Sequence, residues 1–303
     1  LDDVTPLRAA RRAVASPGPF LCSPAIAMRV RDNRNTDTPM PPDEPLGENP
    51  PDGAVFDIWL PQSPQSPVML EILDASGRLV RRFRTDDALD SLPTTLQVPR
   101  VWMRPPQSLV ARAGMNRFVW DLHGPALAGA EPSYPIAATP GRTPAEPRGP
   151  WVVPGRYRVR LTVGEVVRER GFEVRMDPRV RVTTAELTRQ LQLSRRLAEA
   201  LRRDSLLTAN LMERINVATD RSEDELEALS TVIRGPRAAP APGATRPTSL
   251  EQVRQRILRL YDLVQEADAA PTPAMEAATT RVLADLTVLE QRAATLGIRV
   301  RDR

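Results

Sequence analysis

The chain has 303 residues, 41% hydrophobic and 26% charged, which is length and apolar content enough to bury two cores and excludes a disordered or fibrous chain. Its formal net charge of +4 comes from 42 basic residues, all of them arginine and spread along the sequence. A nucleic-acid partner needs positive charge concentrated on one face, so that class is set aside. The single cysteine, Cys22, excludes an intramolecular disulfide framework.

Residues 1–30 read as the end of a preceding domain and a linker. LDDVTPLRAARR has no apolar h-region of a signal peptide and no initiator Met, so further chain is expected upstream. Cys22, inside FLCSP, reads as a small packed hydrophobe. The 32 prolines crowd into the part before residue 155. Proline fixes φ and removes an N–H, so this part can form edge strands and ordered loops but not long helices.

Residues 31–180 alternate short period-2 segments with Pro- and Gly-rich connections. AVFDIWL (54–60) places Phe56, Ile58 and Leu60 on one face. VMLEILD (68–74) turns Val68, Leu70 and Ile72 inward and Glu71 outward; DASG then offers the Asp and Gly of a type I turn before RLVRRF (78–83). NRFVWDL (116–122) sets Asn116, Phe118, Trp120 and Leu122 on one side, with Trp120 as the central plug. PGRYRVRLTV (154–163) buries Tyr157, Val159, Leu161 and Val163 and exposes Arg156, Arg158 and Arg160, and RGFEVRMD (170–177) continues with Phe172, Val174 and Met176. Strands with one apolar face each must pack face to face, which predicts an Ig-like antiparallel β-sandwich with long Pro-rich loops. Three connections, 31–52, 84–113 and 123–153, are long enough to cover or bind something.

From about residue 181 the apolar period becomes 3.6, predicting an antiparallel α-helical bundle over 181–303 and hence an α+β chain. The first helix opens at a Thr cap with Glu186 in its first turn and carries the stripe Leu187, Leu191, Leu197, Leu201, Leu211 and Ile215. DELEALSTVI (224–233) stops at Gly235-Pro236, and 234–248 has the composition of a flexible loop. Ser249 caps a helix with Leu250, Val253, Ile257, Leu260 and Val264 on one face; the last helix aligns Met275, Val282, Leu286 and Leu289. No apolar run reaches the roughly 18 residues of a membrane span.

The residues that could carry chemistry are sparse. His123, the only histidine, follows Asp121 by two positions, but no GxSxG elbow accompanies them and one His with one Cys does not make a zinc site. His123 is therefore read as a surface residue opening a loop. Glycoside hydrolysis needs only two carboxylates, for which Asp74, Asp86, Asp87, Asp90 and Asp121 are candidates by type. DNRNTD (32–37) offers oxygens to calcium but has Arg34 and Asp37 where an EF-hand loop has an acid or Asn and then Gly. No phosphate-binding glycine loop occurs, and no cofactor is expected. The candidate interaction residues are Tyr134 and Trp151, in the third long loop, and the row Arg156, Arg158 and Arg160, whose alternative role is cross-strand pairing with Glu169 and Glu173.

LDDVTPLR (1–8), RNTDTPMPPDEPLGENPPDGAVFDIWLP (34–61), PVMLEILDASGRLVRRF (67–83), AGMNRFVWDL (113–122), YPIAATPG (134–141), GPWVVPGRYRVRLTV (149–163) and ADAAPT (267–272) resemble the C-terminal part of a group of large bacterial proteins with a sortilin-type, BNR-repeat β-propeller, often labelled glycosyl hydrolases. GRLVRRF and AGMNRFVWD together are also similar to the Ig-like domain of flagellar hook-capping proteins. The first resemblance implies an exported, periplasmic or cell-surface protein in which LDDVTPLR closes a preceding propeller. The Asp-box repeats are absent here and no catalytic position of that group has a counterpart, so the hydrolase label does not transfer. The expectation is a non-catalytic accessory module that supports the propeller and binds an extracellular protein or polysaccharide. The alternatives are a carbohydrate-active enzyme with loop-borne carboxylates and a stand-alone glycan-binding module.

Overall fold

The computed structural model describes residues 4–31, 43, 45, 51–88, 99–105, 107–134, 145–217, 222–236 and 247–298. The chain is mixed α+β and divides into two units, one of Leu1–Pro125 with Pro132–Arg181, the other of Ala126–Glu131 with Val182–Arg303. The calcium candidate at 32–37, Asp90 and most of the 234–248 loop lie outside the described residues.

The first unit holds helix α1 (Thr5–Val14) and strands β1 (Phe20–Leu21), β2 (Ala27–Arg29), β3 (Ala54–Leu60), β4 (Val68–Asp74), β5 (Leu79–Arg84), β6 (Gly114–Trp120), β7 (Gly155–Val163) and β8 (Val166–Met176). They form a three-stranded sheet, β1-β3-β6, and a five-stranded sheet, β2-β8-β7-β4-β5. Between β4 and β5 the predicted turn forms through its own side chain: Asp74 Oδ1 accepts the backbone N–H groups of Ser76 and Arg78, both at 3.0 Å. Period-2 alternation delivers Phe56 and Ile58 from β3, Leu70 and Ile72 from β4, Phe118 and Trp120 from β6, and Tyr157, Leu161 and Phe172 from β7 and β8 into one core. Aromatic edges fill it: Trp120 meets Phe172 at 90° with ring centroids 6.3 Å apart, and Phe56 meets the same ring at 5.2 Å.

Two features of residues 1–30 depart from their reading as the end of a preceding domain and a linker. α1 forms where only a linker was expected: Pro6, Ala9 and Ala13 make its buried face, and small residues carry too weak a hydrophobic signal to mark a helix. β2 pairs in parallel with β8, Ala27 opposite Val174 and Arg29 opposite Met176. Three residues are too few to display alternation, and a parallel partner far along the chain leaves no hairpin signature.

In the second unit α2 (Thr184–Asn216), α3 (Glu223–Arg234), α4 (Leu250–Gln265) and α5 (Pro273–Thr295) enclose a core of their own, which Leu127 joins. Four N-caps are side-chain hydroxyls, and at α2 Thr183 and Glu186 close a reciprocal capping box. The buried face of α2 differs from the all-aliphatic stripe read from the sequence. It includes Leu193 and Leu207 but also Gln190, Ser194 and Asp204. On α4 the buried position is Tyr261, not Leu260. Gln190 donates to the carbonyl of Val264 at 2.6 Å, and Gln265 donates to Ser194 Oγ at 2.6 Å, so these polar groups tie α2 to α4. Among the described residues no helix is long and apolar enough to cross a membrane.

Gly53, just before β3, has φ +126, and a Cβ there would stand 2.0 Å from the carbonyl oxygen of Trp120. Gly53→Ala is expected to cost about 2–4 kcal/mol through strain and displacement of β6. Urea unfolding followed by tryptophan fluorescence measures this; an unchanged midpoint would mean that the two segments do not approach so closely.

Asp204 is fully buried, with Oδ2 accepting from Arg254 Nε at 2.8 Å, while Oδ1 has no hydrogen-bond partner. Burial outweighs the arginine and pushes its carboxyl up to about 6. A carboxyl whose folded value exceeds its unfolded one favours folding as it takes up its proton, so this contribution strengthens as pH falls through about 6. Between pH 7.5 and 5 it is worth about 1 kcal/mol. Asp204→Asn is expected to remove that slope from the pH dependence of unfolding; an identical slope in the variant would show that Asp204 does not cause it.

Candidate functional site

Trp120 ends β6 fully buried, and its indole N–H needs an acceptor. It finds one in the carbonyl of His123 at 2.9 Å. To present that carbonyl the chain turns at Leu122, which adopts φ +61, and Asp121 braces the turn by accepting the His123 backbone N–H on Oδ1 at 3.3 Å. Residues 122–124 then run beside 150–152: Gly124 N–H donates to the Pro150 carbonyl at 2.8 Å and Val152 N–H to the Leu122 carbonyl at 3.0 Å.

This pairing corrects two expectations. His123 is not a surface loop residue; it is 3% exposed. Trp151 is not an open platform for a ligand; it is 7% exposed and lies in the core. Its ring is 3.9 Å from that of His123, and the Arg29, Arg31 and Arg148 guanidinia lie 5.2 Å, 5.8 Å and 5.8 Å from its centroid. Nothing near Trp120 in the sequence signals a partner segment so far along the chain.

The His123 ring is buried and held by its own corner of the chain. Nδ1 lies 2.7 Å from the Asp121 main-chain oxygen, and since a carbonyl only accepts, Nδ1 carries the proton. The Asp121 carboxylate is farther, at 3.5 Å. Burial pushes the imidazole below its ordinary value of 6.5, although Asp121 pulls the other way. Burial alone would raise Asp121, but the His123 hydrogen bond and the nearby Arg148 charge outweigh it and hold the carboxyl at about 2.

The other acids of the hydrolase reading are engaged locally. Asp74 builds its turn and binds Arg78 at 3.0 Å; Asp86 receives Arg84 at 2.7 Å; Asp87 accepts the Arg84 backbone N–H at 2.6 Å. Glu71, nearly buried, receives Arg82 at 3.3 Å and lies 3.8 Å from Arg160. Among the described residues no cluster of three or more His, Cys, Asp or Glu is placed to hold a metal ion.

Phe118, Trp120, Tyr157 and Leu161 all lie in the core. Tyr134 is half-buried, next to the bridge between Ser133 and Glu146. Arg156, Arg158 and Arg160 share the outward face of β7. Glu169 on β8 clamps two of them, accepting from Arg158 Nη1 at 2.9 Å and from Arg160 Nε at 3.1 Å. Glu173, opposite Arg156 in register, is taken by Arg175 at 2.9 Å. Arg156 stands opposite Glu173, and its charge, with that of Arg175, helps hold the Glu173 carboxyl below the usual carboxylate range.

Beside this row a groove of about 650 Å3 opens, lined by Arg156, Arg158 and Glu173 and by the apolar Pro24, Ile26 and Ala75. Gly171, opposite Arg158 in register, leaves a gap one side chain wide, since a Cβ there meets only the Tyr157 carbonyl at 3.9 Å. Sequence reasoning found the arginines but neither the groove nor Pro24 and Ile26, which come from the segment read as a linker. The one available signal was the lone glycine between Arg170 and Phe172, which as a strand glycine marks an open or closely approached position.

No family model, no curated protein and no solved structure matches the chain.

Because the folded imidazole takes up its proton only at lower pH than the unfolded one, the stability that depends on it is complete above about pH 6.5 and declines as pH falls below. His123→Gln is expected to flatten this decline, measured as the unfolding midpoint between pH 7.5 and 4.5 in an Asp204→Asn background. An unaltered decline would locate the titrating group elsewhere.

Proposed function

We propose that this chain is a non-catalytic accessory module: an Ig-like sandwich with long Pro-rich loops followed by an antiparallel helical bundle. In the reading drawn from the resemblance to sortilin-type propeller proteins, it supports a β-propeller of the same exported or cell-surface protein and binds a partner beside it. The observation that carries the non-catalytic part is the burial of His123, with Nδ1 committed to the Asp121 carbonyl and the ring against Trp151. A general base must reach the proton it abstracts, and this ring is closed to a substrate. Glycoside hydrolysis would need two carboxylates about 5–10 Å apart across a cleft. Asp74, Asp86, Asp87 and Asp121 are each bound to residues two to four positions away in turns and corners. The groove beside β7 instead combines guanidinia with aliphatic surface, which suits recognition.

Incubation of the purified chain with a panel of neutral and acidic polysaccharides is expected to release no reducing ends. Release that disappears in Asp121→Asn or His123→Ala would overturn the proposal. For the supporting role, the native protein is expected to be far heavier than 33.5 kDa, with peptides preceding Leu1; a native mass of 33.5 kDa would contradict it.

A further inference from the structure

Helix α1 packs its small residues inward and sends its large aliphatic ones out. Pro6, Ala9 and Ala13 form the buried face, at i, i+3, i+7. Leu7, Ala10 and Val14 repeat that spacing one position on, and Leu7 and Val14 are 69% and 60% exposed. Arg8, Arg11 and Arg12, all exposed, make the third face. Past the turn after α1 the chain meets β8, where exposed Arg168 donates from Nε to the Pro19 carbonyl at 3.1 Å. Burial and then the Asp57 charge push the Cys22 thiol up, while Arg170 and Arg12 both oppose them, so helix and strand share one corner. Among the described residues no acid bonds any of these five arginines; Arg168 and Arg170 donate to main-chain carbonyls. Asp57 gives both carboxylate oxygens to Arg117. Counting Glu165 at the hairpin turn and Asp2 and Asp3 before the helix, the arginines still exceed the remaining acids by five to three.

We propose that α1 lays this corner on an anionic phospholipid surface, with Leu7 and Val14 entering the interfacial layer and the arginines reaching lipid phosphates. This is a second surface, and it goes beyond the accessory-module reading without depending on it. A helix lying in the plane of a bilayer boundary needs an apolar stripe flanked by basic side chains. In α1 the stripe is Leu7, Ala10 and Val14, and Arg8 and Arg11 stand beside Leu7 at i+1 and i+4. Arginine stems run along such a stripe and lift the guanidinium to the headgroups, where it can take two phosphate oxygens. The shape favours lipid over a folded partner. Leu7 and Val14 protrude from a convex helix rather than line a groove, and fluid lipid closes around protruding aliphatic groups. Two aliphatic side chains hold a surface only weakly, so attachment depends on negative lipid charge acting on the arginines.

The test is cosedimentation of the full chain with vesicles of equal parts phosphatidylcholine and phosphatidylglycerol, beside pure phosphatidylcholine vesicles. Polyglutamate and duplex DNA serve as polyanions without lipid. The chain is expected to sediment with the mixed vesicles and not with the neutral ones, and added salt should release it. Arg8→Gln with Arg11→Gln should weaken binding about tenfold or more. Leu7→Ala with Val14→Ala keeps the charge and favours the helix, and should weaken binding about threefold or more. All four side chains are exposed, so both variants are expected to keep the parent melting temperature. No sedimentation with the mixed vesicles, or equal sedimentation with neutral ones, overturns the proposal. Full binding by the Leu7 and Val14 variant overturns it too, since charge alone would then suffice. Tighter binding to polyglutamate or DNA than to vesicles would assign the corner to an acidic protein or a nucleic acid and likewise overturn it. Each of these failures leaves the accessory-module reading to its own tests of polysaccharide cleavage and native mass.

Discussion

The first unit depends on one buried hydrogen bond, from the Trp120 indole to the carbonyl of His123. A fully buried N–H left without an acceptor costs about 1–3 kcal/mol, so the chain after β6 is constrained to return its main chain beneath the indole. That return requires the left-handed Leu122 and carries the His123 side chain inward. Once inside, an imidazole is tolerated only as the neutral ring with its N–H bonded, which the Asp121 carbonyl provides. Trp-Asp-Leu-His is thus one structural device in which each residue answers a need created by the one before.

Much of the first unit follows from residues read one strand at a time. β3, β4 and β7 fall where alternation puts them because each is long enough to show period 2, whereas β6, read over 116–122, runs from Gly114 to Trp120 and leaves Leu122 in the turn. The DASG turn forms by the mechanism its side chains imply. What is not legible depends on partners distant in sequence. β2 is defined by its parallel neighbour, and the burial of His123 and Trp151 is created by a two-segment bridge. In the helical unit the caps are readable because they are local, whereas Asp204 and Gln190 look like solvent-facing residues until their partners on other helices are known.

The same distinction separates the candidate site from its sequence image. Alternation alone places Arg156, Arg158 and Arg160 outward, and cross-strand pairing to Glu169 accounts for two of them. The third depends on register: Glu173 faces Arg156 across the ladder and feels its charge, while its hydrogen bond goes to Arg175 on its own strand. The groove exists because a glycine, not a side chain, stands opposite Arg158. Among the described residues, Asp74, Asp86, Asp87 and Asp121 are engaged in turns and in the corner after β6.

The claim on which this account rests is that His123 is an architectural, neutral imidazole. The chain holds a single histidine, so its ring signals can be followed by NMR through a pH titration without assignment ambiguity. The account predicts a proton fixed on Nδ1 at neutral pH and a titration midpoint below 6.5, unmoved by added polysaccharide. A midpoint at or above 6.5, or ring signals that shift when a polysaccharide is added, would place the histidine in contact with solvent and substrate and contradict it.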